Sequence, residues 1–74
     1  MQVEIDLHNW KHEDVEGKFI NWVLLQYNMG NFPIRVITGN SEKMKNIVKE
    51  ECLKYDFNVE PSWDGNTGVV TIIE

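Results

Sequence analysis

The chain has 74 residues, 42% apolar and 26% charged, with twelve acids against seven bases and a net charge of −5. That length is one small domain, burying about 60% of the surface its unfolded form exposes, with no room for separate cofactor and substrate domains. The acidic balance argues against a general coat on nucleic acid, the single cysteine Cys52 excludes an internal disulfide framework, and no apolar run approaches the roughly 18 residues of a membrane span.

Residues 2–8, Gln-Val-Glu-Ile-Asp-Leu-His, alternate strictly. Val3, Ile5 and Leu7 point one way, and Gln2, Glu4, Asp6 and His8 the other, which predicts a half-buried strand. Residues 12–29 change to helical spacing. Val15, Phe19, Trp22, Val23 and Gln26 form a stripe that Ile20, Leu24 and Tyr27 widen. Glu13, Asp14 and Glu16 crowd the first turn, where the helix dipole favours anions. Trp10 is placed to staple onto Val15, with Lys11 at the cap position and Asp14 reaching back. Gly17 weakens the helix and suggests close packing, and Gly30 supplies its stop before Asn31-Phe32-Pro33.

Residues 34–38, Ile-Arg-Val-Ile-Thr, form a β-branched run and predict a second strand. Gly39-Asn40-Ser41 turns directly into a second helix over 41–55, capped by Asn40 or Ser41. Its apolar stripe is Met44, Ile47, Val48, Cys52 and Tyr55. Residues 57–63 alternate again, with Pro61 marking an edge strand or a bulge. Asp64-Gly65-Asn66-Thr67-Gly68 is a turn, and Val69-Val70-Thr71-Ile72-Ile73 closes a hairpin. The order strand, helix, strand, helix, strand, strand predicts an α/β protein. Two helices cannot cover both faces of a four-stranded sheet, so the expected fold is a two-layer βαβαββ sandwich. It has a mixed sheet and both helices on one face, and residues 1–74 form a single domain.

Three groupings offer chemistry. Asp6 and His8 share a strand face at its C-terminal end, where open α/β sheets place their sites, and a carboxylate beside an imidazole orients the ring for proton transfer. The same spacing also fits two solvated polar residues. Thr38-Gly39-Asn40-Ser41 sets amides at a helix N-terminus and a glycine that lets a phosphate approach. Arg35, Lys43, Lys45 and Lys49 against Glu42 make this stretch locally basic, as phosphate binding needs, although a solvated helix face accounts for the charges equally well. The acids are expected to cluster away from it. His8 and His12, with Asp6 or Asp14, could ligate a divalent metal, but two ordinary histidines are the more frequent case. Trp10 and Trp63 could stack on a base if exposed, whereas Phe19, Trp22 and Tyr27 are expected in the core and Cys52 to be an inert packing residue.

Taken together, Ile5-Asp6-Leu7-His8-Asn9 after a first strand, Ile37-Thr38-Gly39-Asn40-Ser41 before a second helix, and a closing Gly68-Val69-Val70-Thr71-Ile72-Ile73-Glu74 strand resemble the Smr (small MutS-related) domain over nearly the whole chain. That family carries an apolar-Asp-Leu-His-Gly segment and a His-Gly-x-Gly loop at these places. Here Asn9 replaces a glycine, Thr38 a histidine and Ser41 the second glycine, so only Asp6, His8 and Gly39 carry over. The resemblance implies an endonuclease or nicking nuclease acting on RNA or DNA, with Asp6 and His8 catalytic and Thr38, Gly39, Asn40, Ser41, Lys43, Arg35 and Lys45 on the phosphate. Its alternative is a catalytically degenerate module that binds nucleic acid, a ribosome or a protein partner without cleavage. The fold also resembles the C-terminal domain of bacterial translation initiation factor three, which fits ribosome binding. The N-terminus has no basic region or apolar signal core, so a cytoplasmic protein, monomeric or weakly dimeric and off the membrane, is expected.

Overall fold

The structure is a computed structural model that describes residues 3–62 and 64–74. Gln2 of the predicted first strand and Trp63 of the predicted third lie outside these residues. Strand β1 is Val3–Asp6, β2 Ile34–Ile37, β3 Asn58–Pro61 and β4 Val69–Ile73. The sheet order is β1-β2-β4-β3. β1 and β2 are parallel; β4 pairs antiparallel with both β2 and β3. The mixed α/β fold expected from the residue pattern is therefore present, and β3, with Pro61, is an edge strand, the place in a sheet where proline is tolerated.

The first helix, α1, has three consecutive pieces: His12–Asp14 in α geometry, Val15–Phe19 in π geometry and Ile20–Asn28 in α geometry. Spacing of four between Val15, Phe19 and Val23 survives the wider π turn, and all three are fully buried. Gly17 sits in that turn, but a Cβ placed on it would meet nothing within 4 Å. It is exposed and loosens the turn rather than marking close packing. Lys11 occupies the cap without a side-chain bond, because a lysine has no acceptor to offer; Asp14 does not reach back but lies 3.9 Å from Lys18. Helix α2 is Glu42–Leu53, and Ser41 is its cap, its Oγ accepting from the Met44 N–H at 3.1 Å.

Both helices end in the same hydrogen-bonded closure. At α1 the Asn31 N–H donates to the Gln26 carbonyl at 2.9 Å and the Gly30 N–H to the Tyr27 carbonyl at 3.0 Å, with Gly30 at φ +75°. At α2 the Phe57 N–H donates to the Cys52 carbonyl at 3.0 Å and the Asp56 N–H to the Leu53 carbonyl at 3.2 Å, with Asp56 at φ 63°. The second closure comes earlier than the apolar stripe suggests. It swings Tyr55 out, 47% exposed, and puts Phe57 into the core instead. Tyr27 is also outside the core, 43% exposed. It stands on the last turn of α1 and covers Phe32 and Phe57 with one edge, ring centroids 5.3 and 5.2 Å away, while its other side meets solvent.

The register gives the sheet two different faces. Val3, Ile5, Ile34, Val36, Ile72, Val70, Val59 and Pro61 share one, and Glu4, Asp6, Arg35, Ile37, Thr71, Glu60, Asn58 and Ile73 the other. The core joins Ile34, Val36, Val70 and Ile72 to Val15, Phe19, Ile20 and Val23 of α1 and Met44, Ile47, Val48 and Cys52 of α2. Both helices thus pack on the first face. Burial raises the Cys52 thiol to about 12, which makes it an inert packing group. Because each helix follows one of the parallel strands, both helix N-termini lie at the C-terminal end of that pair. No helix among the described residues is long and apolar enough to cross a membrane.

Candidate functional site

Strand β1 stops at Asp6 because the chain turns sharply there. Leu7, fully buried, donates its N–H to the Ile37 carbonyl at 2.8 Å, and its own carbonyl accepts from the Trp10 N–H at 2.9 Å. The turn is closed by Asp6: its Oδ1 accepts from the His8 backbone N–H at 3.0 Å and lies 2.5 Å from His8 Nδ1. These bonds hold the Asp6 carboxyl below the usual carboxylate range. An ionised oxygen can only accept, so Nδ1 is the donor and the neutral imidazole carries its lone pair on Nε2. Both side chains are about half exposed. The expected pairing of Asp6 with His8 is present, made by a turn rather than by two positions of one strand.

Gly39 stands beside this pair. Its φ is +66°, and a Cβ placed on it would lie 3.4 Å from His8 Cβ. The left-handed backbone is the steric reason for glycine here. Gly39→Ala is expected to cost about 1–2 kcal/mol and to displace His8; a thermal melt checks the first and the imidazole NMR signals of His8 the second. An unaltered melt would show that the loop relaxes freely.

The rest of the predicted phosphate loop is arranged differently. The Gly68 carbonyl accepts from the Thr38 N–H at 2.9 Å and the Gly39 N–H at 3.0 Å, so neither amide is available to an anion. Thr38 is buried, with its hydroxyl directed at the Gly39 and Gly68 carbonyls. The Ser41 hydroxyl is spent on the helix cap. Asn40 is exposed, and its Oδ1 accepts from the Thr67 hydroxyl at 3.2 Å. The loop is thereby fastened to the hairpin turn. Gly68, which the residue pattern did not single out, is the fastening point, and the Asn66 Oδ1 accepting from the Gly68 N–H at 2.9 Å holds it there.

Arg35 is not part of this loop. It lies on the open face of β2, with Nε 3.2 Å from Glu4, Nη2 3.0 Å from Asp64 and Nη1 3.4 Å from Ser62. Lys45 lies 3.7 Å from Glu42 and, with Lys49, lines a 290 Å³ hollow between α2 and the hairpin, floored by Val59, Pro61, Val69 and Val70. The expectation that acids stay clear of the basic stretch fails, because the sheet register and the hairpin carry Glu4 and Asp64 to Arg35. Lys43 alone among the proposed basic residues is an exposed cation of the α2 first turn. No group of three His, Cys, Asp or Glu that could hold a metal occurs among the described residues, so His12 does not join Asp6 and His8.

The Arg35 clamp has a pH signature. Asp64 accepts from the Ser62 hydroxyl at 2.5 Å, the Asn66 N–H at 3.0 Å and Arg35, which lowers its carboxyl to about 2. An unfolded aspartate titrates near about 3.9. The contribution is therefore complete above that value and lost as pH falls through about 2. Asp64→Asn is expected to flatten the decline of Tm between about pH 4 and 2; an unchanged slope would place the acid sensitivity elsewhere.

Trp10 is 36% exposed and lines a 370 Å³ hollow with Asn9, Lys11, Asp14 and Lys18. It is therefore not enclosed as a simple staple would be. Comparison with protein-family models, curated proteins and solved structures found no match for the chain.

Proposed function

We propose that this chain is an Smr-like endonuclease or nicking nuclease in which Asp6 and His8 handle protons at a phosphodiester. The carrying observation is the 2.5 Å contact of Asp6 with His8 Nδ1 on two half-exposed side chains, with Gly39 at φ +66° beside them. On RNA, His8 Nε2 takes the 2′-hydroxyl proton, the 2′-oxygen attacks phosphorus, and the 5′-oxygen leaves with a proton from water. Asp6 keeps the ring in the required tautomer and stabilises it once protonated. Lys43 and the first N–H groups of α2, whose N-terminus lies at the same end of the sheet, meet the phosphate charge. The donor set offers a divalent ion two ligands at most from Asp6 and His8, so no step is assigned to a metal. A free, buried Cys52 suits the reducing cytoplasm.

A second reading has its own support. The Gly68 carbonyl fills the amides that a phosphate would use, and buried Thr38 replaces the histidine expected in the loop. Both features favour a module that binds nucleic acid, a ribosome or a protein without cutting. Cleavage of single-stranded RNA and of supercoiled DNA, with and without a divalent metal, separates the two. Wild type should cut, and Asp6→Ala and His8→Ala should not. Three indistinguishable proteins would remove the nuclease reading, and binding that weakens with salt would then support the module.

A further inference from the structure

We infer that the site takes a single-stranded substrate, and that Trp10 stacks on the unpaired base next to the phosphate facing His8. The inference rests on the nucleic-acid reading above. Six large apolar side chains are exposed among the described residues: Trp10, Leu25, Tyr27, Met29, Leu53 and Tyr55. Leu25, Tyr27 and Met29 lie in the closing turn and cap of α1, and Leu53 and Tyr55 at the close of α2, away from the helix N-termini where Asp6, His8 and Gly39 meet. Trp10 alone stands at the site end, two residues beyond His8, and its backbone is fixed by the bond to the Leu7 carbonyl.

The surroundings of Trp10 have the composition of a nucleotide subsite. Its hollow of 370 Å³ is lined by Asn9, Lys11, Asp14 and Lys18, two ammonium groups against one carboxylate. Lys18 is held only loosely by Asp14, at 3.9 Å, and Lys11 has no ion pair among the described residues. An indole face with flanking ammonium groups recognises a base and its phosphates together, whatever the base. A duplex keeps its bases stacked on one another and withholds those faces, so this arrangement selects unpaired strands. Lys11 and Lys18 are the cations of this hollow on a chain whose net charge is −5, and Asp14 is its one acid.

The test uses the full chain carrying His8→Ala, so that binding is measured without cutting. Fluorescence anisotropy of a labelled single-stranded RNA octamer gives the affinity. Adding Trp10→Ala is expected to weaken binding about 5- to 150-fold, the range a single stacked base supplies, and Trp10→Phe to recover most of it. An octamer with one abasic position should lose affinity against the Trp10 protein and little further against Trp10→Ala. A duplex of the same sequence should bind at least about tenfold more weakly. No binding, equal binding by duplex and single strand, or an abasic loss that ignores Trp10 would each overturn the proposal. Stacking without cleavage in the wild type would leave it standing and remove the nuclease reading. Cleavage indifferent to Trp10 would do the reverse.

Discussion

Substituting His8 with alanine is expected to lower the rate of strand cleavage about 10²- to 10⁴-fold while leaving the fold in place. The side chain is 48% exposed and bonds to Asp6, itself half exposed, so stability should move by no more than about 0.5 kcal/mol. Asp6→Asn is the more discriminating companion. It keeps an oxygen able to accept from Nδ1 but removes the charge that stabilises the protonated ring, so a loss of about 10- to 100-fold is expected. Asp6→Ala removes tautomer control as well and should fall close to His8→Ala. The pH profile adds a sign. Because its bonds from His8 hold the Asp6 carboxyl below its ordinary range, any acid limb it gives wild-type activity should lie below that of an unpaired aspartate. A gel assay of single-stranded RNA cleavage from pH 4 to 9, with circular dichroism on each variant, measures all of this. Equal rates for Asp6→Asn and wild type at every pH would mean that the short contact shapes the turn and has no part in proton transfer.

Local pattern located this pair well, for a reason that also explains the errors. Alternation from Val3 to His8 is a property of neighbours in the chain, and so is the closure of α1, because Gly30 announces its left-handed backbone. The same closure at α2 is carried by Asp56, which adopts φ 63° without any glycine to signal it. The apolar stripe therefore predicts a helix that runs two residues too far, to Tyr55, whose expected core place Phe57 takes. The π turn was hidden because a spacing of four fits both helical geometries. Long-range contacts left no trace at all. Nothing near Thr38 and Gly39 reveals that the Gly68 carbonyl, some thirty positions on, consumes their N–H groups. Nor does Arg35, counted with its neighbours as phosphate-binding, reveal that strand pairing sets Glu4 beside it and the hairpin brings Asp64. The acid–base pair is legible because Asp6 and His8 stand two residues apart in the chain, while the phosphate loop is not, because its amides are taken by Gly68 from across the sheet.

The largest stability effect is expected at Phe19→Ala. Phe19 is completely buried in the π turn of α1, its ring 6.5 Å from that of Trp22 and inclined by 26°, and it belongs to the cluster that joins α1, α2 and the sheet. Truncating a buried phenylalanine costs about 3–5 kcal/mol, part lost burial and part residual cavity. A domain of this length holds about 4–11 kcal/mol in total, so the substitution takes a large share of it and should lower Tm by at least about 12 °C. Phe19→Leu, which refills most of the volume, should cost about 1–1.5 kcal/mol. Tyr27→Ala is the informative contrast. The helical stripe puts both rings in the core, but Tyr27 is 43% exposed and only edges Phe32 and Phe57. Its removal should cost about 1–2 kcal/mol, clearly less than Phe19→Ala. Urea unfolding of the three variants, with m compared to wild type, gives the differences directly. A Tyr27→Ala penalty equal to that of Phe19→Ala would put Tyr27 back inside the core and deny the register that the π turn sets along α1.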